Sequence, residues 1–440
     1  MKKFLSYTLL VAFVFSCSNS NIISDFSYLF KASSWLKKST PVSEEYLDTI
    51  PIKLLFGQPI GEVVIAGNKR DFLFDTGAHT VIDEHDVDRE GIKTFPEPDY
   101  DVRDTSDGFY KFIRKNKMFK SEFLNIIDTL TINKTSFKKV GAATMLFKIS
   151  HYISECFDNL GILGNNVMND GVWSFDYKNK RIVFSNTIEN FELKNAVVFD
   201  ADFKFGFPII NFPIKDTVVR AGIDTGNNSL AISMNDGLLR SYSIKTAYEV
   251  TANLSHFNIY SSLQKGFESK NVEYLQLQTD IFGFPYRFNA ITDMDVGLGE
   301  NINSRFDLMM GYEFIKDFVV TIDYINEKVY FQPNESSKEM KRPIETASIN
   351  IGLSKYDNRA YITSFLPDKI DTSNVDISDT LIAVNNVPID SIITQDNYCD
   401  FIRERDNLKQ SDLDTTIFTI KNKNGETHDF KSYRVTLFDD

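Results

Sequence analysis

The sequence predicts a mainly β protein, built from two copies of one strand-rich unit and a smaller α+β unit after them. Three observations carry this. Short runs rich in β-branched and aromatic residues recur between turn residues, as in IPIKLLF, EVVIAG, RDFLFD, TLTINKTSF and RIVF, and few stretches keep a helical period. A set of short motifs appears twice in the same order. Beyond Pro333 the charged stretch NESSKEMKRP reads as a linker to a new unit. At 440 residues the chain is too long for one ordinary domain and has room for about three. Its 42% hydrophobic content supplies a sizeable core. The net charge of −13 argues against nucleic acid, which needs a basic face.

The first residues read as a targeting segment. Met1-Lys2-Lys3 precedes an apolar run, residues 4 to 15, that is shorter than the roughly 20 residues of a membrane-spanning helix. Val14-Phe15-Ser16-Cys17 resembles the lipobox of bacterial lipoproteins, although Phe15 is bulky for its place. The resemblance implies a signal peptide over 1–17, lipid attachment at Cys17 and a location in the bacterial cell envelope, at the outer membrane or the periplasmic face and outside the cytoplasm. Ser18 is compatible with outer-membrane sorting. An ordinary secretory signal is the alternative. Residues 18–47 read as a polar tether. With Cys17 lipidated, Cys156 and Cys399 remain as structural thiols, and neither Cys nor His spacing suits a metal. No cofactor and no metal are expected.

The repeat is visible by eye. Gly57-Gln58-Pro59-Ile60 begins 18 residues before Asp75, and Gly206-Phe207-Pro208-Ile209 begins 18 before Asp224. Gly161-Ile162-Leu163-Gly164 is matched by Leu308-Met309-Met310-Gly311, Phe175-Asp176-Tyr177 by Ile322-Asp323-Tyr324, and NKRIVF by NEKVYF. The offset is 149 residues early and 147 later. The units cover 48–187 and 188–334. INKTSF and YINEKVYF read as hairpins, and NNVMND and YEFIKD as short helices.

Each unit writes Asp-Thr-Gly after an apolar strand: Asp75-Thr76-Gly77 and Asp224-Thr225-Gly226. Glycine allows a tight turn and close approach, and the Asp is left facing what lies beyond. One copy alone is more simply a β-turn with an Asx cap. Two copies in a repeat are another matter, because a pseudo-twofold axis would bring Asp75 to face Asp224. Two carboxylates roughly 3 Å apart cannot both ionise and so share one proton. The ionised member can take a proton from water while the other donates to a carbonyl oxygen.

On these residues the two units resemble the lobes of pepsin- and retropepsin-like aspartic proteases. Phe72 to Ala78 resembles the retropepsin active-site strand, and the two apolar-apolar-Gly elements resemble those that cross beneath the active loops. The resemblance spans residues 48 to 334. It implies two duplicated β-barrel lobes, catalytic Asp75 and Asp224, support from Thr76, Gly77, Thr225 and Gly226 with the threonines bracing the loops, and a polypeptide substrate. Ala78 and Asn227 stand where pepsin-like enzymes carry Ser or Thr. Loss of a hydroxyl that favours the charged form predicts activity nearer neutral pH than pepsin shows. The Asn227 amide either substitutes for a hydroxyl or marks a weakened site. Substrate-covering flaps are expected near Val102–Gly108 and within 255–270, with Tyr110 and Tyr260 as candidates. His79 is either a tuning group or a structural neighbour.

Residues 343–440 form the third unit. Ile377 to Ile389 (ISDTLIAVNNVPI) resembles the PDZ stretch usually written GD-x-I-x-x-I-N-G-x-x-V, with Ser378 and Asn386 replacing its glycines. The resemblance implies a small α+β PDZ-like domain, a carboxylate loop at Gly352 and Leu353, a groove helix over 396–404 and a peptide ligand added to a sheet edge. A β-rich domain without a peptide ligand remains the alternative. Three functions are thus open: an aspartic-type endopeptidase held to a membrane by a lipid anchor, a catalytically silent peptide- or partner-binding lipoprotein, and a scaffold.

Overall fold

The computed structural model describes residues 39–55, 57–83, 91–94, 124–145, 161–203, 206–227, 231–234, 243, 248–253, 269–292, 307–338, 343–353, 359–377, 379–392 and 416–438. Several expectations fall outside them: the signal segment with Cys17, the thiols Cys156 and Cys399, the flap candidates with Tyr110 and Tyr260, and the 396–404 helix. Over the described residues the protein is mainly β. The α-helices Asn165–Met168 and Tyr312–Ile315 lie within NNVMND and YEFIKD.

The same pairings recur in both sequence repeats. Gln58–Ile65 runs antiparallel to Asn68–Phe74, and Ile209–Ile214 antiparallel to Thr217–Ile223. In the first hairpin Ala66 and Gly67 both have positive φ, 50° and 80°, the requirement of a two-residue turn that follows strand twist. The strand leading to each Asp then pairs in parallel with an apolar-apolar-Gly element. Phe72 lies opposite Gly161 and Phe74 opposite Leu163; Ala221 lies opposite Leu308 and Ile223 opposite Met310. On their other side these elements meet Val81–Asp83 and Ile232–Met234. Long hairpins complete the pattern, Leu124–Ile132 with Thr135–Met145 and Ser269–Thr279 with Tyr286–Ile291.

A six-stranded antiparallel sheet joins the repeats. Its order is Leu47–Pro51, Arg181–Ser185, Val172–Asp176, Phe318–Asp323, Lys328–Pro333 and Val197–Asp202. At its centre Ser174 lies opposite Thr321, its own repeat counterpart, and the Thr321 hydroxyl bonds Ser174 Oγ at 2.9 Å. Val172–Asp176 is buried along its whole length, because side chains on both faces of this strand are covered. Trp173 stacks on Phe184 with centroids 4.5 Å apart, while Phe314, Phe318 and Phe331 pack edge-on and face-on in the second repeat. The abundant phenylalanines of the sequence thus fill the core that holds the two repeats together.

The third unit has its own core of Ile349, Ile362, Phe365, Leu381, Phe418 and Ile420. It is also docked. Tyr248–Asn253 of the second repeat pairs with Ala360–Phe365. Val250, Val272, Tyr274 and Ile291 share a cluster with Ile344, Leu366, Val435, Leu437 and Phe438. Gly352 and Leu353 lie inside the strand Ile349–Leu353, opposite Tyr361 and Ala360, rather than in a loop. The loop expectation for these two residues is therefore corrected: the apolar alternation around them extends the strand to Leu353. Among the described residues no helix is long and apolar enough to cross a membrane.

Candidate active site

Each Asp stands at the end of its apolar strand. The parallel partner fixes its backbone: Asp75 N–H donates to Leu163 O and Asp224 N–H to Met310 O, both at 3.0 Å. The next residues, Thr76 and Thr225, are completely buried and cross between the repeats. Thr76 Oγ1 donates to Ile223 O at 2.7 Å and accepts from Thr225 N–H at 3.1 Å. Thr225 Oγ1 donates to Phe74 O at 2.7 Å and accepts from Thr76 N–H at 3.0 Å. These four reciprocal bonds hold the two Asp-bearing strand ends in one register.

The glycines set the approach of the carboxyls. A Cβ on Gly77 would stand 2.8 Å from Asp224 Cγ, and one on Gly226 would stand 2.3 Å from Asp75 Oδ2. Each glycine therefore lies directly against the carboxyl of the opposite loop, where any side chain would displace it. Each also donates its N–H to its own Asp, at 2.7 Å to Asp75 Oδ1 and 2.9 Å to Asp224 Oδ1. The Asp75 and Asp224 carboxyls are thereby held side by side, close enough to act on each other.

Electrostatics follow from this contact. Burial, and then the Asp224 charge, push the Asp75 carboxyl well above the usual carboxylate range, against the Gly77 and Ala78 N–H groups that favour its anion. Burial raises Asp224 as well, opposed by the bond from Asp75 and by the Gly226 and Asn227 N–H groups. Both carboxyls are thus raised, and the repulsion between them favours one shared proton over two charges. The pair titrates as a unit.

The short helices brace the loops. Asn165 N–H donates to Ala78 O at 2.8 Å and Tyr312 N–H to Asn227 O at 2.9 Å. Gly164 and Gly311 permit this, because a Cβ on either would fall 2.1 Å from His79 C or 2.5 Å from Asn227 O. His79 Nδ1 bonds Asn165 Oδ1 at 2.9 Å. The Asn227 side-chain amide donates to Met309 Sδ at 2.9 Å, and it is the Asn227 main-chain N–H that favours the Asp224 anion.

Several participants escape motif reading. The Gln58 side chain reaches Gly226 O at 2.6 Å. Tyr177 and Tyr324, equivalent in the repeat, lie buried within the field of the dyad; burial raises the phenol pKa of both. The Tyr177 ring packs on Tyr312 with centroids 5.6 Å apart. Their matched places in FDYKNK and IDYINE were the signal that could have singled them out. Among the described residues no cluster of three or more His, Cys, Asp or Glu could hold a metal.

No family model matches the chain, and no curated protein matches it. Among solved structures 376 chains match. One is basic 7S globulin from soybean, 9% identical, covering 66% of this chain and 95% of its own, with a TM-score of 0.38. An overlap that slight carries no argument about what this chain does.

Proposed function

We propose that the chain is an aspartic-type endopeptidase whose two duplicated β-barrel lobes, 48–187 and 188–334, each supply one catalytic carboxyl. The observation that carries this reading is the apposition of the Asp75 and Asp224 carboxyls, presented by matching loops and locked by reciprocal threonines. The Ser174–Thr321 pair, a residue bonded to its own repeat counterpart, supports an approximate twofold axis between the lobes.

A lytic water held between the carboxyls gives a proton to the ionised one as its oxygen attacks the amide carbon. The protonated carboxyl gives its proton to the carbonyl oxygen, forming a neutral gem-diol. Collapse of the diol breaks the C–N bond. One diol proton returns to the carboxyl that donated. The proton first taken from water goes to the leaving nitrogen, and the dyad ends with one proton as it began. No covalent intermediate forms. Thr76, Thr225, Gly77 and Gly226 act by placing the carboxyls.

In this reading the protease is held in the bacterial envelope by lipid on Cys17, and residues 343–440 form a PDZ-like domain that presents peptide to the cleft. The shared core between that unit and the second lobe favours a fixed spatial relation between groove and cleft. The test is a mixed peptide library offered to residues 18 to 440 from about pH 3 to about pH 8, with Asp75→Asn and Asp224→Asn beside it. Cleavage by the parent alone is expected. Binding without cleavage by all three would favour a silent peptide-binding lipoprotein instead.

A further inference from the structure

Gln58 opens the strand Gln58–Ile65 in the first repeat, yet its side-chain amide donates to Gly226 O in the second DTG loop at 2.6 Å. That carbonyl and the Asn227 N–H are two ends of one planar peptide group. The Asn227 N–H faces Asp224. It lies 3.2 Å from the Asp224 main-chain oxygen and also reaches the carboxyl, favouring its anion. A hydrogen bond to an amide carbonyl polarises the N–H at the other end and fixes the plane in which it points.

Among the described residues the repeat position equivalent to Gln58 gives Asp75 no such device. The residue 149 positions after Gln58 is Phe207. Its ring lies against Gly222, where a Cβ would meet it at 2.2 Å, and a phenyl ring has no hydrogen-bond donor. The groups acting on Asp224 are Asp75 and the Gly226 and Asn227 N–H groups. Beside them stand three phenols: Tyr177, which feels both carboxylates, Tyr312 packed on it, and Tyr324, which feels Asp75. Beyond Asp75 itself, main-chain donors are the anion-stabilising groups at Asp224, and Gln58 strengthens one of them from the opposite lobe.

We propose that Gln58 is a positioning residue of the dyad: by gripping the Gly226–Asn227 peptide across the lobe boundary, its amide makes Asp224 the carboxylate that takes the water proton and leaves Asp75 as the proton holder. The inference deepens the hydrolase reading and rests on it for the proton's purpose. The asymmetry itself is a property of the folded dyad and is measurable without cleavage.

The test uses the full-length protein with Gln58→Leu, Asp224→Asn and the double variant. Without the amide, the folded-state pKa of Asp224 rises further. A raised carboxyl contributes stability below its unfolded pKa and loses it as pH climbs through the folded value. The Gln58→Leu penalty in urea is therefore larger at about pH 7 than at about pH 3.5, by roughly fivefold in the unfolding constant, the equivalent of one hydrogen bond. Asp224→Asn abolishes that pH dependence. A penalty equal at both pH values would overturn the proposal, leaving Gln58 a plain tether. On a cleaved peptide, Gln58→Leu lowers kcat with little change in KM and moves the acid limb of the profile to higher pH. Gln58→Glu recovers activity relative to Gln58→Leu only where its carboxyl is protonated and can donate. An unmoved limb overturns the proposal. If the parent cleaves nothing, the hydrolase reading falls while the urea comparison still decides the role of Gln58.

Discussion

Replacing Thr76 by Val removes one hydroxyl, keeps the volume and leaves two buried backbone groups without their partner. Ile223 O loses a 2.7 Å donor and Thr225 N–H loses a 3.1 Å acceptor. Each orphaned group costs about 1–3 kcal/mol, so the variant should lose about 2–6 kcal/mol. Thr225→Val orphans Phe74 O and Thr76 N–H in the same way. The two hydroxyl oxygens lie 3.5 Å apart, close enough for the losses to couple, so the double variant should depart from the sum by more than about 0.5 kcal/mol. Urea unfolding followed by tryptophan fluorescence measures this, because Trp173 is completely buried in the sheet that joins the repeats. The midpoint should fall with an unchanged slope. Either single variant within about 0.5 kcal/mol of the parent would refute the reciprocal bridge.

Other consequences are as direct. Gly226→Ala sets a methyl 2.3 Å from Asp75 Oδ2, so cleavage should be lost while unfolding stability drops by about 1–3 kcal/mol; retained turnover would show that the carboxyls are not in contact. Burial raises both dyad carboxyls, so their ionisation opposes folding at pH above the folded values and has no effect below the unfolded ones. Asp75→Asn should therefore raise the urea midpoint at neutral pH, with a gain that fades in acid; a gain that grows in acid would contradict the assignment. The Tyr177 hydroxyl is buried with no hydrogen-bond partner among the described residues, so Tyr177→Phe should leave stability unchanged or raise it, and a loss above about 1 kcal/mol would reveal a partner. The pH profile of kcat/KM should be a bell centred above the ordinary carboxylate range, and a maximum near about pH 2 would contradict the raised dyad.

Much of this architecture was legible in the sequence because repetition is legible. The paired DTG loops, the apolar-apolar-Gly elements and the short helices at NNVMND and YEFIKD announce themselves by spacing, and both copies carry the same parallel pairing and the same short helix. Partners across the chain are another matter. Alternation tells which face of a strand is buried, not which strand lies beside it. Nothing local in Leu47–Pro51 points to Arg181–Ser185, and nothing in Tyr248–Asn253 points to Ala360–Phe365. The same blindness placed Gly352 and Leu353 in a loop. The pairing of those residues with Tyr361 and Ala360 depends on a strand that follows the polar run SKYDNR. Gln58 was hidden for a related reason, since one amide in a GQPI motif acquires meaning only when the second loop is brought to it.

The central claim is that Asp75 and Asp224 share one proton. Infrared difference spectra of the carboxyl C=O stretch, taken between the parent and Asp75→Asn across pH, test it most directly. The account predicts a protonated-carboxyl band in the parent that persists well above the ordinary carboxylate range and is absent from the variant. A parent in which that band vanishes within the ordinary range, as two independent carboxylates would require, would contradict it.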